Sequence, residues 1–169
     1  METKSITLIG LPGAGKSTVG VLLAKEMVKE FVDSDLLIQS KLGMSLQDYV
    51  NEAGYLALRE VEQQILTHTK FENCVIATGG SAVYSTAAMQ RLKQLGPRIY
   101  LEVSLPTMLT RVTNAGTRGL ACEPGTTLPE IYQQRLPLYQ ANADQTIECN
   151  SQSPGQIVAQ IHQWYLVNM

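Results

Sequence analysis

Residues 10–18 read Gly-Leu-Pro-Gly-Ala-Gly-Lys-Ser-Thr and follow directly on the apolar run Ile6-Thr7-Leu8-Ile9. Glycine weakens an element unless the backbone needs a positive φ or must approach something closely. Gly10 to Ser17 fit the pattern G-x-x-x-x-G-K-[ST] in full, a pattern that average residue usage produces in about one chain of this length in a hundred or fewer. A buried strand before it and an amphipathic helix after it, expected over Ser17–Val28 with Val19, Leu22, Leu23 and Met27 inward, form the setting in which such a loop wraps a polyphosphate. Backbone N–H groups would surround the oxygens, aided by the positive end of the helix that starts near Ser17. Lys16 is expected to reach the β and γ phosphates and Ser17 to offer its hydroxyl to Mg²⁺. A dinucleotide fingerprint fails, because Thr18 stands where Gly13-x-Gly15-x-x would need its third glycine.

Beyond the loop the chain alternates between strand and helix patterns. Phe31-Val32 is expected as a short strand ending at Asp33-Ser34-Asp35. Ser45 with Asp48 resembles a capping box opening a helix that Gly54 closes. Further helices are expected over Ala57–Lys70 (stripe Leu58, Val61, Ile65), Ser85–Leu95, Pro106–Val112, Pro129–Ala143 with an interruption at Pro137, and Pro154–Val167. The remaining strands are expected over Cys74–Ala77, Ile99–Val103 and Thr146–Cys149. Five strands interleaved with helices imply an α/β fold with a five-stranded parallel sheet and helices on both faces. With 169 residues and no evident linker, residues 1–169 form one domain in this reading. Asn114–Thr127 holds three glycines and a proline with little apolar pattern, and is expected to be a mobile loop.

Composition narrows the functions open to such a fold. A net charge of −2 with 13 scattered Lys and Arg residues does not suit a nucleic-acid binder. No apolar stretch approaches the length of a membrane span, and no signal peptide is evident. Three distant cysteines, Cys74, Cys122 and Cys149, suit reduced thiols rather than a disulfide framework or a zinc site, so a cytoplasmic protein is expected.

Ligands of open α/β sheets sit beyond the carboxyl ends of the strands, so the residues there matter next. Asp33 and Asp35, one residue apart, follow the second strand, although two such aspartates also serve as turn formers. Arg59 and Glu62 share a helix face away from the Leu58–Val61–Ile65 stripe, where a solvated ion pair is the plain alternative. Gly79-Gly80 follow the third strand, Arg118 lies in the Gly-rich loop, and Arg135 precedes Leu136-Pro137-Leu138-Tyr139. His68 and His162 lack triad or metal partners and are expected at the surface, and Trp164 and Tyr165 are expected to pack the last helix.

Together these residues resemble the shikimate kinase family over nearly the whole chain. The motifs are the phosphate-binding loop, Asp33-Ser34-Asp35, Leu58-Arg59-x-x-Glu62, Thr78-Gly79-Gly80-Ser81, a lid of about 114–127 carrying Arg118, and Arg135-Leu136-Pro137-Leu138-Tyr139. The resemblance implies a P-loop kinase using ATP and Mg²⁺ to phosphorylate a hydroxyl of shikimate. It implies nucleotide contacts from Gly13, Ala14, Gly15, Lys16, Ser17, Thr18, Arg111, Arg118 and the Ser151–Pro154 loop, with Pro154 at its end. The acceptor would be held by Asp35, Arg59, Gly79, Gly80 and Arg135, the two arginines clamping its carboxylate. Mg²⁺ would sit on Ser17 and Asp33. Lys16, Asp33, Asp35 and Arg118 would carry catalysis, by positioning and charge rather than covalent chemistry. The expected partner is a small molecule alone, with no nucleic acid or membrane, and the chain is expected to be a monomer. Leu58, Ser81 and Gly119 depart from the family's phenylalanine, third glycine and lid proline, all on the acceptor or lid side. A different hydroxy-acid acceptor such as gluconate, or a nucleotide-binding module with weakened catalysis, are the alternatives these departures leave open.

Overall fold

The computed structural model describes residues 4–114, 116 and 118–169. Ala115 and Thr117 of the expected lid lie outside the described residues. Five strands, β1 (Ile6–Ile9), β2 (Glu30–Asp33), β3 (Cys74–Ala77), β4 (Arg98–Glu102) and β5 (Gln145–Glu148), form one sheet in the order β2-β3-β1-β4-β5. Every pairing is parallel. Among the described residues eight α-helices flank it: α1 (Lys16–Met27), α2 (Ser34–Leu42), α3 (Leu46–Ala53), α4 (Tyr55–His68), α5 (Thr86–Leu95), α6 (Leu105–Arg111), α7 (Leu128–Asn142) and α8 (Pro154–Asn168). No helix among the described residues is long and apolar enough to cross a membrane.

All four residues of both β1 and β3 are buried. Alternate side chains of a strand point to opposite faces, so continuous burial means that both faces are covered. The edge strands β2 and β5 are correspondingly more exposed. Register brings the strand ends level: Leu8 pairs with Ala77, and Ala77 pairs with Asp33. The residues that follow β1, β2 and β3 therefore leave the sheet side by side.

Several sequence expectations need correction. Helix α2 was not anticipated; Asp33 closes β2 and immediately caps α2, its Oδ1 accepting from the N–H groups of Asp35 (2.9 Å) and Leu36 (3.4 Å). Leu22 is 40% exposed rather than inward. Gly20 is buried in its place, because α1 rests there on the Phe31 ring, which leaves no room for a Cβ. Helix α7 runs unbroken through Pro137. The proline withholds only the one N–H that Gln133 would have used, and the buried side chains of Arg135 and Tyr139 hold the helix on either side. In α4, Glu62 lies inward with Leu58, Ile65 and Leu66, and at 3% exposure it is no surface residue. Trp164 and Tyr165 pack against the core as expected.

Besides the main core, a smaller apolar cluster joins Ile38, Leu46, Leu58, Ile65 and Ala121. It ties the segment after Arg118 to helices α2, α3 and α4.

Candidate active site

The level ends of β1, β2 and β3 open into a cavity of about 360 Å³. The phosphate-binding loop forms one wall. Gly13 and Gly15 adopt left-handed backbone (φ 81° and 94°), and Gly15 caps α1, so the loop turns sharply into the helix. Lys16 folds back across the loop, its Nζ donating to the carbonyls of Gly10 (2.7 Å) and Leu11 (3.0 Å). Burial lowers its pKa to about 8; Arg118 and Arg135 push the same way, against Asp35 and Asp33. The Lys16 side chain is half-buried and lines the cavity, where its ammonium can meet anionic oxygens.

Ser17 Oγ donates to Asp33 Oδ2 at 2.7 Å, while Asp33 Oδ1 caps α2. The free faces of a hydroxyl and a carboxylate thus meet at one point beside the loop, a hard-oxygen donor set that fits Mg²⁺. Asp35, in the first turn of α2, lines the cavity. Burial raises its pKa, with Asp33 adding to the rise and Lys16 and Arg118 opposing it.

On the far wall, Gly79 donates its N–H to the buried Ser34 Oγ (3.0 Å), and a Cβ on Gly79 would strike Glu62 Oε1 and Asp35 Oδ1. The backbone here is pressed against two carboxyl groups. Gly80 is fixed from behind, since its carbonyl accepts from Tyr139 Oη at 2.5 Å. Arg135, 1% exposed, reaches the same wall from α7.

Two arginines converge on one atom. Arg59 donates through Nε (3.1 Å) and Nη2 (2.9 Å) to the carbonyl oxygen of Ala121, and Arg135 Nη2 donates to that same oxygen (3.2 Å). Arg59 does not line the main cavity but an adjoining recess with Glu62, Ser81 and Tyr84. Arg118 lines the cavity mouth with Gly119, Leu120 and Ala121. Gly119, with φ 68°, donates its N–H to Gln47 Oε1 of α3 (3.0 Å).

Arg111 lies at the other end of the loop, donating to Gly13 O (3.3 Å) and Cys149 O (2.9 Å) and so linking the phosphate loop to the end of β5. Of the other expected nucleotide residues, Thr18 lines the cavity, whereas Ala14 is buried behind the loop and Pro154 opens α8.

Sequence reasoning missed Glu62 as a buried cavity residue. The spacing Leu58-Glu62-Ile65-Leu66 would have found it, for it is itself a helical stripe. It also missed Gln47 and Ala121, which are ordinary in type and carry no chemical signal. The two departures on this wall sit without strain: Ser81 has φ −91° and donates to Glu62 Oε2, and Gly119 occupies a backbone conformation that suits glycine.

Residues 12–166 match the family model described as shikimate kinase. A shikimate kinase from Sulfurihydrogenibium sp. (strain YO3AOP1) is 36% identical over 159 residues, covering 94% of this chain and 95% of the relative. Among solved structures, the shikimate kinase from Acinetobacter baumannii in complex with shikimate superposes with a TM-score of 0.90 at 33% identity, over 98% of this chain and 94% of that one. The shikimate kinase from Aquifex aeolicus gives 0.82 at 26% identity, over 97% of each chain. A match along almost the entire length, in both sequence and backbone, means that the chain belongs to the shikimate kinase family.

Proposed function

We propose that this protein transfers the γ-phosphoryl group of ATP to a hydroxyl of shikimate. The observation that carries the reading is the convergence of Arg59 and Arg135 on one carbonyl oxygen beside a phosphate-binding loop. Two guanidinium forks aimed at one point suit a carboxylate, and the loop suits a triphosphate. The relative from Acinetobacter baumannii was solved with shikimate, a cyclic hydroxy acid with the carboxylate such a fork requires.

In this reading Gly13 to Thr18 hold the β and γ phosphates, and Arg111 with the Pro154 loop flanks the base. Ser17 and Asp33 hold Mg²⁺, which shields the phosphate charge. Arg59, Arg135 and the Gly79-Gly80 backbone hold the acceptor. Asp35 orients the attacking hydroxyl and takes its proton as the oxygen bonds to the γ phosphorus and the bond to ADP breaks. Lys16 and Arg118 neutralise charge on the phosphoryl group in transit. The chain acts as a single-domain cytoplasmic monomer.

ADP release with Mg-ATP and shikimate, against gluconate as the competing acceptor, tests the reading. Arg135→Lys should weaken acceptor binding by roughly ten- to a hundredfold, since a lysine cannot form the fork and a charge-assisted contact is lost. ATP binding should hardly change. Turnover with gluconate alone, or equal losses for both substrates, would exclude it.

A further inference from the structure

Arg59 and Glu62 stand three residues apart on α4, the spacing at which opposite charges on a helix pair. They do not pair here. Glu62 Oε2 is taken by the Ser81 hydroxyl, and no ion pair joins Glu62 to Arg59 among the described residues. The Ala121 carbonyl accepts from one edge of the Arg59 fork, and what remains to be set is the tilt of its plane, by a group lying against its face.

Tyr84 supplies that. It ends the 3-10 turn Ala82–Tyr84, just beyond Gly79-Gly80-Ser81. The guanidinium carbon of Arg59 lies 3.8 Å from the Tyr84 ring centroid, and that of Arg135 lies 5.5 Å from the same centroid. Tyr55 flanks Arg59 at 5.1 Å. One aromatic ring therefore lies beside both arginines, whose N–H groups then meet at Ala121 O. Its own hydroxyl is buried and has no hydrogen-bond partner among the described residues. A buried orphan hydroxyl is a cost, so the ring, not the polar tip, is the useful part of this side chain.

We infer that Tyr84 is a positioning residue for the acceptor site: its ring sets the planes of Arg59 and Arg135 so that both forks address one anionic group. The inference rests on the reading of those arginines as the acceptor's carboxylate clamp. The turn that presents the Gly79-Gly80 backbone to the acceptor thereby also carries the platform for its charge.

The test uses Tyr84→Leu, which keeps bulk but removes the π face, and Tyr84→Phe, which keeps the face. The arginine Nε–H resonance of Arg59 is followed by nitrogen NMR in the ligand-free protein, and shikimate and ATP binding by calorimetry. Tyr84→Leu should speed solvent exchange at Arg59 Nε–H and weaken shikimate roughly three- to tenfold, the size of a partly desolvated cation–π contact. It should leave ATP affinity unchanged. Tyr84→Phe should match the wild type in all three. Unaltered exchange in Tyr84→Leu overturns the inference, as does faster exchange with unaltered shikimate affinity. A Tyr84→Phe protein as impaired as Tyr84→Leu also overturns it, by shifting the role to the hydroxyl. Wild-type protein that binds no shikimate overturns the proposed function instead, not the hold on Arg59, which the resonance reads without any ligand.

Discussion

Glu62 is 3% exposed, and among the described residues the one hydrogen bond to its carboxyl comes from Ser81. Burial raises its pKa to about 7, with Asp35 adding to the rise and Ser81, Arg135 and Lys16 opposing it. The folded protein thus binds more protons than the unfolded chain between pH 4.5, the ordinary value, and about 7. Stability should fall as pH rises through that window and stay lower above it. The ceiling on this loss is about 3–4 kcal/mol, from two to three pKa units at about 1.36 kcal/mol each. Glu62→Gln cannot ionise yet keeps an acceptor for Ser81. Denaturant melts at pH 6 and pH 8 should therefore lose most of their difference in this variant, which should be the more stable protein at pH 8. An unchanged difference would mean that another group titrates.

At the scale of elements, the segment after Arg118 docks on the start of α3. A Cβ on Gly119 would lie 2.5 Å from Leu46 Cβ and 2.7 Å from Gln47 N, and its φ of 68° lies far from the value near −65° that proline imposes. Gly119→Pro should break this docking and remove the N–H that Gln47 accepts. Hydrogen exchange at the Leu120 and Ala121 amides should then speed up. The shikimate KM should rise at least tenfold, on a lost hydrogen bond plus backbone strain of about 1–3 kcal/mol. A variant with wild-type exchange and KM would remove the docking from the mechanism. The sequence motif comparison treats Gly119 as a missing proline; the backbone makes it a required glycine.

The same scale explains what was legible beforehand. All five strands were readable: β1, β3 and β4 as short apolar runs, and the more exposed edge strands β2 and β5 from the turn residues that bound them. The phosphate loop was readable because its chemistry needs fixed residue types at fixed spacing. Helix α2 was not, since Asp33-Ser34-Asp35 reads equally as a turn and as a cap, and only the bonds from the Asp35 and Leu36 amides to Asp33 Oδ1 decide for the cap. The contacts of Arg59 with Ala121 and Tyr84 were also hidden. They join residues far apart in the chain through a backbone carbonyl and a ring face, neither of which leaves a pattern in sequence.

Across the whole molecule, one charged pair fastens β4 to the segment that leads from α7 into the edge strand β5. Arg98, at the start of β4, is 6% exposed and donates through Nε (3.0 Å) and Nη2 (3.2 Å) to Asp144, and its backbone N–H donates there too (2.9 Å). Burial pushes the Asp144 pKa up, but these hydrogen bonds and the Arg98 charge outweigh it and hold the carboxyl below its usual value. A lowered carboxyl stabilises the fold above its unfolded pKa and ceases to as pH falls through its folded one. Asp144→Ala leaves the buried Arg98 only its long contacts to Met89 O (3.4 Å) and Asn142 Oδ1 (3.3 Å), and should cost about 1–3 kcal/mol near neutral pH. Thermal melts should show that gap narrowing below pH 4. A loss under 1 kcal/mol would mean that water reaches Arg98 freely.

That pair also bears on how the chain is made. Arg98 leaves the ribosome 46 residues before Asp144, and every residue lining the main cavity lies at or before Arg135. The cavity's full complement of residues is therefore synthesised while the first four strands still contain an unanswered cation at the edge of the sheet. Asp144 and β5 follow, and α8 after them, so a chain truncated after Asn142 would carry all these lining residues but not the carboxylate that answers Arg98.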